Sequence, residues 1–480
     1  MIGLALERVK PGDTKRRLEL ETLRSDIESL QASHAEKQRL RASETFNHFG
    51  RLPVEIASMI FCNVVEFDHT QVISLSHVCR DWRRVVVEMP ALWSHLFLSH
   101  RKPVAKAKLW RERSKGKIKV LTVGGTHTET VWALEALADI SFDHLLSLRL
   151  IEVDWRNFRG RLPAITNDVI RGLESFHIEH AVWLTGSEWY YELSDLQLRN
   201  LAVINSDLNW RSLSDHCTGL TTFCYQGWFN RNYRADLLAL LHRNSKLEKL
   251  HLNMSIRSTM TFSLDQERRI PLPDSFSILP NLRELSLEGS ELTLEALTSV
   301  MVPSKLQVLK IAKCRSPLDH ALESLITLGI PQHLQELVID RCTIEDPQNL
   351  VQLLHDARHL EVLRLTGLNN IRSVIDALSE PKSTSAARIP LPKLIRLDLS
   401  HCPEVRDGAL IRIVKLRMPS QQDTADVSVP GITSSQQPLQ LVSLVVHACD
   451  ISPDVIQWLR KQVQHVSFVY ATKKQARWKR

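Results

Sequence analysis

The 480-residue chain has no run of the ~20 apolar residues that an α-helix needs to cross a bilayer. A signal-peptide core is missing too. Met1-Ile-Gly-Leu-Ala-Leu meets Glu7 and Arg8 before an apolar stretch can form, and Ile2 excludes N-myristoylation. A reducing cytoplasm or nucleus is the expected setting, where the eight cysteines are thiols. No Cys-x-x-Cys pair is present to start a zinc site. The phosphate-cradling loop Gly-x4-Gly-Lys-Ser/Thr, the metalloprotease motif His-Glu-x-x-His and the nucleophile elbow Gly-x-Ser-x-Gly are all missing. His177-Ile-Glu-His180 falls on a predicted strand, where its two imidazoles point to opposite faces and do not share a metal. Neither intrinsic catalysis nor a cofactor is expected. Charge of one sign is scarce as well: the net value is +7, and the basic residues are spread out. The densest cluster, Lys473-Lys474-Gln-Ala-Arg477-Trp-Lys479-Arg480, reads as a solvated tail, with nuclear localisation or nucleic-acid contact as the alternative.

What the chain does have is a repeat. The template Leu-x-x-Leu-x-Leu, with other apolar residues allowed at each Leu, begins at Ile118, Leu145, Leu173, Leu198, Leu220, Leu247, Leu282, Leu306, Leu334, Leu360, Leu394, Leu441 and Val463. Most starts lie 22–28 residues apart, the leucine-rich-repeat period. Three longer gaps hold polar or Pro-bearing insertions at about 255–280, 380–393 and 419–438, which belong in loops. The last two apolar positions alternate with a polar one, the period of a strand. Helical patterns follow, such as Leu350/Leu353/Leu354 and Leu410/Ile413/Val414, and Asp346-Pro347 and Ser452-Pro453 mark helix starts. One strand and one helix cannot bury a core alone, but stacked units can. Residues 117–470 are therefore expected to form an α/β solenoid, a leucine-rich-repeat horseshoe with a parallel sheet on its inner face. Cys314, Cys342, Cys402 and Cys449 each stand eight residues after a repeat start, where a small inward side chain can serve the backbone of the turn.

Two segments precede the repeats. Residues 15–45, after a tail at 1–14, favour helix and place Leu20, Leu23, Ile27 and Leu30 at steps of three and four. That is a seam of about two heptads, short of the three to four of a dependable coiled coil. The helix either packs on its own chain or pairs weakly with a second copy. Residues 49–98 are compact, apolar and helical. Pro53 suits the first turn of a helix with Ile56, Ile60 and Phe61 on one face, and Asp68 can cap a second helix bearing Val72, Leu75, Val78 and Cys79.

These residues carry a resemblance. Leu52-Pro53-x-Glu55-Ile56, then Ile60-Phe61, Val78-Cys79-Arg80-x-Trp82-Arg83 and Pro90-x-Leu92-Trp93 followed by Leu96 resemble an F-box, in the F-box-like form common in fungal proteins. His401-Cys402-Pro403-Glu404-Val405-Arg406-Asp407-Gly408-Ala409-Leu410 resembles the cysteine-containing subclass of leucine-rich repeats. The first resemblance implies docking to the Skp adaptor of an SCF-type cullin–RING ubiquitin ligase through Leu52, Pro53, Ile56, Ile60, Phe61, Val78, Cys79 and Trp82, any of which can instead be internal core. It also implies a repeat array that binds a target protein, with ubiquitin chemistry left to the ligase. A plain repeat scaffold outside ubiquitination is the competing reading.

On each strand, the side chains alternating with the buried positions are the candidate target contacts. They include Arg149, His177, Glu179, Lys249, His251, Glu284, Glu288, Lys310, Glu336, Asp340, Arg364, Arg396 and Asp398. Acidic residues gather at Glu284, Glu288, Glu336 and Asp340 around Lys310, which would suit a basic partner segment; an ordinary solvated face is the alternative. No Arg cluster dense enough to capture a phosphate stands out. With few aromatic anchors on the strands, loop residues Trp155, Trp189 or Trp228 are the candidate hot spot.

Overall fold

In the computed structural model the described residues are 14–46, 52–68, 70–99, 101–125, 134–135, 137, 140–153, 165–180, 197–206, 210–228, 234–255, 279–289, 305–314, 317–380, 390–418 and 438–470. Most of each predicted insertion, Trp155, Trp189 and the basic tail lie outside them, as does the side chain of Trp228. The chain divides into two compact units, one of residues 1–95 and 109–117, the other of residues 96–108 and 118–480.

The first unit is helical. Helix α1 (Thr14–Phe46) is a single 33-residue element, and Leu23, Ile27 and Leu30 of its apolar seam are exposed. Helices α2 (Val54–Phe67), α3 (Gln71–Val78) and α4 (Arg80–Glu88) follow, then a 3-10 turn at Pro90–Trp93. Asp68 shapes the corner before α3. Its carboxylate accepts the Thr70 amide at 2.9 Å and the Gln71 side-chain amide at 2.9 Å. Cys79 caps α4, its sulfur accepting the Trp82 amide at 3.5 Å. The core forms around Trp93, fully buried, whose indole N–H donates to Val86 O at 2.8 Å. Trp110 packs edge-on at 4.8 Å, and the Arg113 guanidinium lies 4.4 Å from the Trp93 ring centre.

The second unit is a parallel sheet of 14 strands in chain order. They are β1 (His95–Leu98), β2 (Val120–Gly124), β3 (Ser147–Ile151), β4 (Ser175–Glu179), β5 (Asn200–Ile204), β6 (Thr222–Trp228) and β7 (Lys249–Ser255). Then come β8 (Glu284–Glu288), β9 (Val308–Ala312), β10 (Glu336–Asp340), β11 (Val362–Thr366), β12 (Arg396–Asp398), β13 (Ser443–Val445) and β14 (His465–Ser467). Each of β2 to β14 begins two residues after a predicted repeat start. The extra strand, β1, completes a further copy of the template, Trp93-x-x-Leu96-x-Leu98, at the end of the helical module. Both leucines are buried.

The connecting helices are α5 (Pro103–Ser114), α6 (Asn167–Arg171), α7 (Trp210–His216), α8 (Arg234–Arg243), α9 (Asp319–Thr327), α10 (Pro347–Asp356), α11 (Arg372–Ser379), α12 (Asp407–Lys415) and α13 (Pro453–Gln462). They bury the apolar positions that the sequence pattern marked, among them Leu350, Leu353, Leu354, Leu410, Ile413 and Val414. Asp346 accepts the Gln348 amide at 2.9 Å and so caps α10. Ser452 stands at the start of α13 without a side-chain cap; its amide donates instead to Asp407 of the preceding repeat at 3.0 Å.

Registration comes from the backbone at both ends of each strand. Before a strand, two successive amides share one carbonyl of the previous repeat, as Gln335 and Glu336 do with Gln307 O. After a strand, a residue of positive φ seven positions into its repeat turns its amide to the carbonyl six positions into the next repeat. Lys313 (φ 53°) donates to Asp340 O at 2.7 Å, Arg341 (φ 50°) to Thr366 O at 2.8 Å and His401 (φ 61°) to His447 O at 2.7 Å. Immediately beyond, the cysteines do what their spacing suggested. Cys402 Sγ donates to Leu365 O of the preceding repeat at 3.1 Å, and Cys449 Sγ to Leu399 O at 3.2 Å. Ser206 holds the same place in its repeat, with its hydroxyl on Ile204 O at 2.9 Å.

Candidate functional site

Helix α2 is apolar on two sides. One stripe, Ala57, Phe61 and Val65, is buried. The other, Val54, Ile56, Met59, Ile60 and Val64, is exposed, with Met59 at 63%. Those spacings wrap both stripes around a 14-residue helix, and the module covers one of them. Leu52, Val78, Ile73 and Val87 are further exposed apolar side chains of the same unit, and Pro53 is exposed as well. Five of the eight predicted adaptor residues (Leu52, Pro53, Ile56, Ile60 and Val78) are thus exposed. Cys79 and Trp82 are half-buried. Phe61 must be corrected: it is 1% exposed, and its ring packs against Trp82 at 4.8 Å, so it is core. Val54, Met59, Val64, Ile73 and Val87 were not singled out from sequence, although Met59 follows Ile56 at a helical step of three.

The sheet offers a second candidate surface. The register aligns the predicted contacts in three rows on its solvent face. Lys249, Glu284, Val308, Glu336, Val362 and Arg396 form one row. His251, Ser286, Lys310, Val338, Arg364 and Asp398 form the next, which also holds Arg149 and His177. Asn253, Glu288, Ala312, Asp340 and Thr366 form the third, continued by Glu179.

The acidic gathering around Lys310 does not present free negative charge. Glu284 lies 3.9 Å from Lys249, 3.8 Å from His251 and 3.2 Å from Lys310, and Lys310 reaches Glu336 at 3.9 Å. Glu288 pairs with Lys313 and accepts from Asn253 at 3.0 Å. Asp340 takes the Thr366 hydroxyl and has Arg341 at 3.9 Å. The expected site for a basic segment is corrected accordingly: neighbouring repeats bring a lysine to Glu284, Glu288 and Glu336, and Arg341 lies beside Asp340.

Farther along, Arg149 donates to Glu179 at 2.9 Å and holds its carboxyl below the usual range. His177 Nε2 lies 3.4 Å from the same carboxylate but forms no hydrogen bond. Burial, then the Arg149 charge, push the His177 imidazole below its ordinary value despite Glu179, and burial does the same to His251.

Comparison with known proteins bears on the helical unit first. Residues 49–99 match the F-box-like family model. The chain carries an F-box-like segment. Its exposed α2 stripe and the buried Trp93 both fall inside the match. No curated protein matches the chain. Among solved structures, the yeast Rad7–Elc1 complex is similar at 14% identity and a TM-score of 0.44, over 95% of this chain and 98% of that one. An internalin, InlF of Listeria monocytogenes, is similar at 14% identity and a TM-score of 0.38, over 73% and 85%. A Toll-like receptor in the TLR13–ssRNA13 complex gives 14% and 0.37, over 74% and 45%. An F-box-like segment followed by a leucine-rich-repeat α/β solenoid is the architecture.

Proposed function

We propose that the chain is the substrate-recognition subunit of an SCF-type cullin–RING ubiquitin ligase. The F-box-like segment docks on the Skp adaptor, and the repeats hold the target protein. The observation that carries this reading is the uncovered apolar stripe Val54/Ile56/Met59/Ile60/Val64 within residues 49–99. A helix that leaves such a stripe in water gains from a partner that buries it, each large side chain contributing about 1.5–3 kcal/mol on full burial. The subunit itself performs no chemistry in this reading, and ubiquitin transfer belongs to the ligase. Its place of action is the cytoplasm or nucleus, and helix α1 supports at most weak self-association through Leu23, Ile27 and Leu30.

The test is capture of purified Skp adaptor by wild type and by an Ile56→Asp/Ile60→Asp variant. Both positions are exposed, so the variant should stay folded, which a melting curve checks. Capture by wild type, lost in the variant, is expected. Background capture by both refutes the proposal and leaves the repeat scaffold as the reading.

A further inference from the structure

The outward positions of β2 to β14 carry five lysines and arginines: Arg149, Lys249, Lys310, Arg364 and Arg396. The first three have carboxylate partners on the same face. Arg364 and Arg396 are exposed and, among the described residues, have none within ion-pairing distance. Asp398 lies beside Arg364 in register but makes no ion pair with it; its Oδ1 accepts instead from the Ser400 amide at 3.0 Å and the Ser400 hydroxyl at 2.6 Å. The two arginines are diagonal neighbours: Arg396 faces Val362, and Arg364 sits two residues farther along the adjacent strand. Strand spacing and rise place their Cα atoms about 8 Å apart.

Their surroundings differ from the ion-paired part of the sheet. Val338 and Val362 occupy adjoining outward positions, and Val445 stands beyond Asp398 in the middle row. Each is half-buried. Apolar side chains interleaved with arginines that form no ion pair are the composition that protein interfaces favour.

We propose that the outward face of β10–β13, centred on Arg364 and Arg396, docks an extended acidic segment of the target protein. In an extended chain, residues i and i+2 place their side chains on one side about 7 Å apart, which suits the arginine spacing. Two carboxylates at that interval each meet a guanidinium, and a flanking apolar residue rests on the valines. The inference rests on the substrate-receptor reading and adds the chemistry of what is received.

The experiment uses the full chain and a fluorescein-labelled heptapeptide, Leu-Ser-Glu-Ser-Glu-Ser-Leu, read by anisotropy at low ionic strength. Two further peptides replace both glutamates by glutamine or by phosphoserine. The glutamate peptide should bind, and the glutamine peptide at least about tenfold more weakly. An Arg364→Ala/Arg396→Ala variant should lose at least about tenfold in affinity, while Lys249→Ala, whose partner Glu284 keeps Lys310 at 3.2 Å, should be unchanged. Affinity should fall as salt rises. No binding, equal binding of glutamate and glutamine peptides, indifference to the arginine variant, or binding of the phosphoserine peptide alone overturns the proposal. Adaptor capture by the same preparations is scored separately. Its failure with peptide binding intact counts against the ligase reading only, and the reverse against the acidic-segment inference only.

Discussion

Asn244 is the most informative single residue in the solenoid. It is 1% exposed and sits at the end of α8. Its side-chain amide donates to Cys217 O at 2.9 Å and Leu240 O at 2.7 Å, and its carbonyl accepts the Leu220 amide at 2.8 Å. One side chain thus ties the last turn of its helix to the approach of the preceding strand. Replacement by Ala removes all three bonds and leaves two carbonyls and one amide buried without partners. At about 1 kcal/mol net for each bond, the loss is about 3 kcal/mol. Repeat proteins open locally as well as globally, so a local reporter is preferable to a melting curve alone. The Leu220 amide is that reporter. A 3 kcal/mol loss should speed its hydrogen exchange by about two orders of magnitude, while amides in β11 change little. Asn281→Ala serves as control, because its side chain makes only exposed bonds, donating to Ser245 O at 3.2 Å and accepting from Lys305 Nζ at 3.2 Å, and should cost under about 1 kcal/mol. If Asn244→Ala leaves Leu220 exchange within about threefold of wild type, the three bonds do not register the repeats, and the argument built on them is wrong.

Further outcomes follow from the same geometry. Gly289 has φ +73°, and an added Cβ would lie 2.9 Å from Met254 O, so Gly289→Ala should lower stability by about 1–2 kcal/mol or more, seen as a reduced denaturation midpoint. Lys313 holds the equivalent turn at φ 53°, and Lys313→Gly should raise the midpoint if relief of backbone strain exceeds the loss of the exposed Glu288 pair. Phe61→Ala should cost about 3–5 kcal/mol in thermal unfolding, whereas Ile60→Ala should alter adaptor capture with little change in stability. His177 and His251 are held below the ordinary imidazole value, so the unfolded chain takes up protons first as pH falls through about 6.5. Stability should therefore be level above about pH 7.5 and decline through 6.5, and a His177→Gln/His251→Gln variant should flatten that decline in urea titrations at stepped pH.

The repeat was legible because its signal is local and redundant. Leu148 and Leu150, or Leu337 and Ile339, must point inward on any strand, and thirteen copies, most of them 22–28 residues apart, leave no freedom in register. The strand β1 was hidden for a particular reason. Trp93, Leu96 and Leu98 serve both as the end of the F-box-like pattern and as a repeat template, and assignment to the first concealed the second. On α2 the apolar pattern alone could not say which stripe was inside. Phe61 and Ile60 are adjacent and equally apolar, and only the ring of Trp82, 21 residues away, settles that Phe61 is core.

The charges of the sheet face were the hardest to read, because their meaning lies in pairs that span two strands. Glu284 and Glu336 look acidic along the chain; across it, Lys310 stands between them and reaches both. Arg364 and Arg396 look unremarkable along the chain; across it, their register neighbours are Val338, Val362, Ser443 and an Asp398 already committed to Ser400. A parallel sheet therefore sorts its outward charges twice, once by position on the strand and again by what the next strand brings alongside. Where the second sorting neutralises a charge, the face is finished; an exposed pair gains little stability but leaves no demand for a partner. Where it does not, two guanidiniums remain among apolar neighbours with hydrogen-bonding capacity directed outward. That difference between β7–β10 and β10–β13 is why the proposed acidic segment is assigned to the second region.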